Sequence, residues 1–315
     1  MHKPVVTVIC GPTASGKTAL SIELAKRING QIVSADSMQI YDEMNIGTAK
    51  PTIEEMAGIK HYLIGNISPT ERYSVSEYKK DAQNSIKQIL NENKKPIVVG
   101  GTGLYINSLI YGIDYPNIET DLEYRKKLEE EVDEKGLYEL YKKACEIDPK
   151  AMKKISPNDQ KRILRVLEIY NQTKKTKTEL EIESKKNGIP YEYKVFAINI
   201  ERNILYERIN KRVDNMIQDG LIAEVEMIYK KYGEGLFTSI QAIGYKEVLQ
   251  YIKGEDTKDE MIEKIKMETR RYAKRQITWF KKIENIKWLN GLDDIQNNIK
   301  IILEEYKWKR IKKKN

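Results

Sequence analysis

Gly11-Pro12-Thr13-Ala14-Ser15-Gly16-Lys17-Thr18 fits the pattern G-x-x-x-x-G-K-[S/T] in full. A loop of this kind holds linked phosphoryl groups. Its glycines let backbone amides converge without a Cβ in the way, and the helix that follows adds its positive end. Lys17 supplies a mobile positive charge, and the Thr18 hydroxyl is a hard oxygen donor suited to Mg²⁺. The loop reads a pyrophosphate and not a base. ATP carries such a group and so does an allylic diphosphate, so the loop leaves its ligand open. Asp36 ends the run QIVSAD and is a carboxylate after an apolar segment. It suits either magnesium organisation or the capping of a following turn.

A second set of residues could bind a polyanion. In ETRRYAKRQITWFKK (268–282), Arg270, Lys274 and Lys281 recur at helical spacing, and so do Arg271, Arg275 and Lys282. The two rows adjoin as one broad basic face suited to nucleic-acid phosphates. Tyr272, Trp279 and Phe280 are interleaved and are expected to pack in the core. The whole chain carries 55 Lys and Arg against 47 Asp and Glu, a formal net charge of +8. That balance favours polyanionic partners. Cys10 and Cys145 are too far apart in sequence to suggest a disulfide framework or a Cys-based zinc site, which points to a reducing compartment. His2 and His61 show no metal-ligand spacing. No apolar stretch reaches membrane-span length, and Met1-His2-Lys3 leads straight into a strand, leaving no room for a signal peptide. A cytoplasmic protein is the expectation.

Short apolar runs must position these groups. VVTVIC (5–10), QIVSAD (31–36), PIVVGG (96–101), VFAINI (195–200) and IKWLN (286–290) read as strands of a parallel sheet buried on both faces. Helical patterns lie between them, over Lys17 to Asn29 with Gly30 as the stop, and over Val75 to Asn91 behind a Ser74 cap. The fold class is α/β. From 114 to 190 no strand is legible, and LEYRKKLEEEVDEKGLYELYKKA and DQKRILRVLEIYNQ read as helices. This predicts a core of 1–113 and 191–315 interrupted by a helical insertion over 114–190. No internal repeat is visible, and the tail IKKKN is short and basic.

SADSMQIYDEMNIGTAKP (34–51) narrows the choice. Taken with GPTASGKT, it resembles the tRNA dimethylallyltransferases, also called tRNA isopentenyltransferases. The shared pattern is a strand, then Asp36-Ser37-x-Gln39-x-Tyr41, then Ile46-Gly47-Thr48-Ala49-Lys50-Pro51. The resemblance continues in VGGTGLYI (99–106), DQKRILRVLEIY (159–170), RINKRVDNMIQDGLIAEV (208–225), QAIGYKE (241–247) and TRRYAKRQITWF (269–280). It thus runs in order through nearly the whole chain.

The resemblance implies a P-loop NTPase-like sheet and a prenyl transfer. The five-carbon group of dimethylallyl diphosphate would pass to the exocyclic amine of the adenosine 3′-adjacent to the anticodon, in tRNAs reading codons that begin with U. The residues of the phosphate loop, Gly11 to Thr18, would then hold the leaving diphosphate with Mg²⁺ on Thr18. Arg212 is implied as a further diphosphate contact, although its spacing from Arg208 also fits an ordinary helix face. Asp36 is implied as the acid that takes the amine's proton, with Thr102 beside the same amine. The glycines around Thr102 suggest close approach of substrate to backbone. Implied contacts to the tRNA anticodon stem-loop are Ser37, Met38, Gln39 and Arg125. Gln160, Lys161, Arg162, Ile163 and Leu164 form a further stretch, although Ile163 and Leu164 also suit a helical core. Gln241, Ala242, Ile243, Gly244, Tyr245 and Lys246 form another. The basic row of Arg270, Arg271, Lys274 and Arg275 completes the set. The resemblance also implies a monomer. Alternative readings are an RNA-binding P-loop kinase or NTPase, a prenyltransferase acting on free adenylate, and a non-catalytic tRNA-binding protein.

Overall fold

The computed structural model describes residues 3–115, 121–186 and 188–311. His2 and most of the basic tail lie outside them. Six strands form one parallel sheet: β1 (Val5–Cys10), β2 (Gly30–Ser34), β3 (His61–Tyr62), β4 (Lys95–Gly100), β5 (Glu192–Asn199) and β6 (Lys287–Asn290). Their order is β3-β2-β4-β1-β5-β6. β1 is central, with Cys10 level with Gly100 of β4 and with Ala197 of β5. Val6, Val8, Ile9 and Cys10 are fully buried. That accounts for an unbroken apolar run where an alternating one would mark a half-exposed strand. Each such aliphatic side chain contributes roughly 1.5–3 kcal/mol on burial.

Five strands match the sequence reading within a few residues. β3 was not legible, because two residues without apolar alternation give no period to read. The helix after the phosphate loop spans Lys17–Ile28 and buries Leu20, Leu24 and Ala25. The residue that stops it is Asn29, at φ 52°, whose N–H bonds Ala25 O. Gly30 already belongs to β2. The helix Val75–Asn91 begins as expected. Ser74 Oγ accepts from Glu77 N at 3.2 Å, and Glu77 Oε2 accepts from Ser74 N at 2.7 Å. Cys10 is a buried free thiol and Cys145 a half-buried one. His61 Nδ1 lies 2.8 Å from Ile59 O, and burial lowers its pKa.

The chain divides into two compact units. One comprises Met1–Tyr73, Lys80–Ile106 and Pro190–Asn315 and contains the sheet. Its helices Lys17–Ile28, Arg202–Gln218, Lys258–Phe280 and Ile295–Ile311 contribute Leu24, Leu205, Ile209, Ala273 and Ile299 to a core shared with Ile9, Ile32, Ile97 and Phe196. The second unit, Ser74–Lys79 with Asn107–Ile189, is helical and has its own core of Leu128, Leu140, Met152, Ile163, Leu164 and Leu167. The helical unit thus starts at 107, ahead of the expected 114, and takes in the first turn of the helix that opens at Val75. No helix among the described residues is long and apolar enough to cross a membrane.

Candidate active site

The three strands β2, β4 and β1 lie side by side, and their C-terminal ends carry Asp36, Thr102 and the phosphate loop in that order. Parallel sheets of this type place ligands there. Sequence order hides the juxtaposition, since β4 enters between β1 and β2 from sixty residues downstream.

The phosphate loop opens directly from β1. Gly16 adopts φ 86° at the start of the helix, with open space where a Cβ would go, so its backbone conformation is what calls for glycine. Ala14 also sits in the left-handed region, at φ 60°. Lys17 Nζ donates to Pro12 O at 2.6 Å. Arg212, from the helix Arg202–Gln218, donates from Nη1 to Thr13 Oγ1 at 2.9 Å, while Arg208 stays exposed. The loop is therefore where Arg212 belongs. Burial pulls the Lys17 ammonium down to about 8, and the neighbouring Arg212 charge adds to the shift against the pull of Asp36. Burial lowers Arg212 as well, opposed by Asp36 and Glu55. Among the described residues neither cation forms a salt bridge. Two crowded, partly desolvated cations with no carboxylate in direct contact suit a ligand of high negative charge.

The acceptor side is a tight turn. Asp36 Oδ1 accepts from Met38 N at 2.9 Å and from Gln39 N at 3.3 Å. Asp36 therefore caps the turn through one oxygen. Thr102 Oγ1 accepts from Ser37 N at 3.0 Å and lies 3.3 Å from Ser37 Oγ. Thr102 thus acts by holding the residue after Asp36. The glycines next to it are required by packing. A Cβ on Gly100 would lie 2.1 Å from Ala35 O, one on Gly101 would lie 2.2 Å from Gln276 Nε2, and one on Gly103 would meet the Trp279 ring. They let β4 and its loop pack against β2 and the helix Lys258–Phe280. At Gly101 and Gly103 the close approach is internal packing, while Gly100 also lines the cavity described below.

Gln39 Nε2 donates to Thr48 O at 3.1 Å and to Ala49 O at 3.0 Å, so its amide is committed to the Ile46-Gly47-Thr48-Ala49 loop. The other end of that loop is gripped by Glu224, which the sequence did not single out. Glu224 is buried and accepts from Asn45 N (2.9 Å), Ile46 N (2.8 Å), Gly47 N (3.1 Å) and the Tyr245 hydroxyl. Tyr245 is accordingly 1% exposed, and Ala242 and Gly244 are buried with it. Burial withdraws Gly244 and Tyr245 from the expected tRNA contact, Ala242 reaches only the cavity described below, and Gln241 and Lys246 are exposed. Glu224→Ala would leave three amides without their acceptor. A loss of about 3 kcal/mol or more is expected, visible as a lower urea midpoint with an unchanged slope.

The helix Lys258–Phe280 forms the remaining wall. Arg271 pairs with Glu268 at 2.6 Å, and Arg270 donates to Asn210 Oδ1 at 2.6 Å. Lys274 and Arg275 are exposed. Lys281 and Lys282 fall past the helix end, which shortens the basic face. Phe280 is in the core as expected. Tyr272 is not, and its hydroxyl interacts with Thr102 and Gln276. Burial raises its pKa, with the Asp36 charge adding to the rise.

One cavity of about 610 Å³ unites these groups. Thr13 to Thr18, Asp36 to Gln39, Gly47 to Ala49, Arg212, Gln241 to Ile243 and Arg275 line it, together with Tyr272 and Gln276. Val213, Met216 and Ile265 supply an apolar part. The phosphate cradle and the carboxylate thus open on the same space.

The profile of the IPP transferase family matches residues 39–283 of the chain. The chain belongs to that family. A tRNA dimethylallyltransferase of Acetivibrio thermocellus is 52% identical over 297 residues, covering 94% of this chain and 95% of the relative. The crystal structure of a tRNA isopentenylpyrophosphate transferase of Bacillus halodurans superposes with a TM-score of 0.73 at 40% identity, covering 99% and 100% of the two chains. A eukaryotic dimethylallyltransferase acting on tRNA gives a TM-score of 0.76 at 31% identity, over 92% of this chain and 74% of that one. The six-stranded parallel sheet flanked by helices is therefore the fold of this transferase family.

The helical unit of this IPP transferase family member holds the remaining expected contacts. Arg125, Gln160 and Lys161 line an open depression with Glu129 and Asp159. Arg125 also donates to Glu168 at 2.8 Å and to Glu129 at 2.9 Å, so it neutralises a carboxylate that is 1% exposed. Arg162 is exposed and paired with Asp159 at 3.3 Å. Ile163 and Leu164 are fully buried and form core, which overturns their expected contact with tRNA.

Proposed function

We propose that the protein transfers the dimethylallyl group of dimethylallyl diphosphate to the exocyclic amine of the adenosine 3′-adjacent to the anticodon, in tRNAs reading codons that begin with U, releasing diphosphate. The observation that carries this reading is the single cavity shared by Asp36 and the Lys17–Arg212 cradle. Membership of the IPP transferase family supplies the reaction class.

The allylic C–O bond breaks with its electron pair leaving on the diphosphate. Lys17, Arg212 and the amides that follow Thr13 stabilise that charge where it develops. Pro12 has no N–H, and the Thr13 N–H is bonded to Gln276 Oε1 at 2.9 Å, so the phosphate-facing donors begin at Ala14. The oxygen donors present, the Thr18 hydroxyl on the cavity wall and the buried, unpaired Ser15 Oγ nearby, suit a hard cation. Thr18 would hold Mg²⁺, which when bound would add charge neutralisation to the diphosphate. The adenine is taken out of the anticodon-loop stack to reach Asp36. Asp36 orients the amine and takes its proton as the new C–N bond forms. Ser37, Met38 and Gln241, on the wall of the same cavity, are placed to meet the base and its neighbours. Exposed Lys246, Lys274 and Arg275 suit tRNA phosphates, as do Arg125, Gln160, Lys161 and Arg162 on the helical unit. We read the protein as a monomer working where tRNA is found, in the cytoplasm.

Lys17 gives the reaction a pH limit. With its pKa at about 8 in the empty protein, kcat/KM for dimethylallyl diphosphate is expected to fall as pH rises through about 8. Stability moves the other way. Between about 8 and the ordinary 10.5 the unfolded chain binds the extra proton, so the contribution of Lys17 to folding becomes less unfavourable with rising pH. Lys17→Met should remove both dependences.

The reading is tested by incubating purified protein with unmodified tRNA and either dimethylallyl diphosphate or ATP. A five-carbon mass increase in the tRNA, with diphosphate released, is expected. Phosphate release from ATP with unchanged tRNA mass would favour a P-loop NTPase, and modification of free adenylate in preference to tRNA would favour the nucleotide prenyltransferase.

A further inference from the structure

Gln276 is 5% exposed on the helix Lys258–Phe280, and its amide spans two loops that β1 and β4 carry. Oε1 accepts from Thr13 N at 2.9 Å, and Nε2 donates to Gly101 O at 2.9 Å. Thr13 in turn holds Arg212 through its hydroxyl. Gly101 precedes Thr102, which holds Ser37 beside Asp36. Tyr272, one turn away on the same helix, interacts with both Thr102 and Gln276. A continuous set of hydrogen bonds therefore joins the diphosphate cradle to the turn that presents the carboxylate, with Gln276 at its midpoint. The chemistry of the two ends explains the residue type. One loop offers an N–H and the other a C=O, and a primary carboxamide presents one acceptor and one donor to match.

We infer that Gln276 is a positioning residue that fixes the separation between the diphosphate cradle and the amine-holding turn, so that the allyl unit is captured by the adenosine and not by water. The inference rests on the transfer proposed above. In the productive step the allylic carbon loses its bond to diphosphate oxygen, gains one to the exocyclic nitrogen, and the nitrogen's proton passes to Asp36. In the competing step the same carbon bonds to a water oxygen, the water's proton goes to solvent, and the products are dimethylallyl alcohol and diphosphate. Loosening the strut leaves the cradle able to ionise its substrate but removes the register of the nucleophile. Misplacement on this scale costs about 10²-fold in rate.

The test uses the full chain with tRNA and dimethylallyl diphosphate, recording diphosphate, alcohol and prenylated tRNA in one reaction. Gln276→Met keeps the length and loses both bonds. Gln276→Glu keeps the acceptor for Thr13 but sets a carboxylate oxygen against Gly101 O. For both variants tRNA prenylation is expected to fall about 10- to 100-fold, with little change in KM for tRNA, and the ratio of alcohol to prenylated tRNA to rise about tenfold or more. Either variant suffices if the other fails to fold, as judged by thermal melting. Alcohol and prenylated tRNA falling together at a constant ratio, or neither changing, would overturn the inference. A wild-type protein that prenylates no tRNA would overturn the transfer itself and this inference with it.

Discussion

Asp36→Asn is expected to lower kcat for tRNA prenylation by about 10²- to 10⁴-fold, the range for loss of a positioned general base. The asparagine carbonyl can still accept from Met38 N and Gln39 N, so the turn that Asp36 caps survives. The proton acceptor does not. Asp36→Ala removes both functions, so it should match Asp36→Asn in kcat and also lose stability, by about 1 kcal/mol for the cap. Binding of tRNA, followed by filter retention or fluorescence anisotropy, should persist in both variants because the exposed cations are untouched. Near-wild-type kcat in Asp36→Asn, with a loss confined to Asp36→Ala, would mean that the carboxylate only caps the turn.

Lys17→Met should be nearly as damaging, at about 10²- to 10³-fold in kcat/KM for dimethylallyl diphosphate, as for removal of one fixed donor to developing negative charge. Its effect on stability has the opposite sign. Lys17 is a crowded cation beside Arg212, and burial already disfavours its charge. A methionine of similar length removes that burden, so the empty protein should melt at the same temperature or higher. A variant that is more stable yet inactive separates function from folding. Lys17→Met with wild-type kcat/KM would show that this loop does not hold the leaving group.

Much of the site was legible because its residues are contiguous. A phosphate loop needs a strand, eight residues and a helix, all local in sequence, and Asp36-Ser37-x-Gln39 ends another strand. The roles of individual residues within those motifs were less legible. Thr13 looks like a phosphate ligand, but its N–H and hydroxyl serve Gln276 and Arg212. Gln39 looks like a base contact, but its amide ties down Thr48 and Ala49. The glycines after β4 look like a substrate approach, but they admit Ala35 and Trp279.

The residues that were missed share a signal. Glu224 falls on the buried stripe Leu221, Glu224, Val225, Ile228, and Gln276 falls with Ala273 and Phe280 on the buried side of the long basic helix. A polar residue at a core position of an amphipathic helix must find a buried partner. The partners themselves, the amides of 45–47 and the loops after β1 and β4, are distant in sequence, so no spacing rule names them. The same pattern explains Glu168, buried among Leu164, Leu167 and Ile169 and neutralised by Arg125.

The central claim is that one cavity carries both the departure of diphosphate and the capture of the five-carbon unit by adenosine. The most direct test uses dimethylallyl diphosphate labelled at its allylic carbon, an anticodon stem-loop, and nucleoside mass analysis after digestion. The account predicts label on the exocyclic nitrogen of the adenosine 3′ of the anticodon, in step with diphosphate release, and absent when Asp36→Asn replaces the wild type. Diphosphate release with no label in the RNA, or label undiminished in Asp36→Asn, would contradict it.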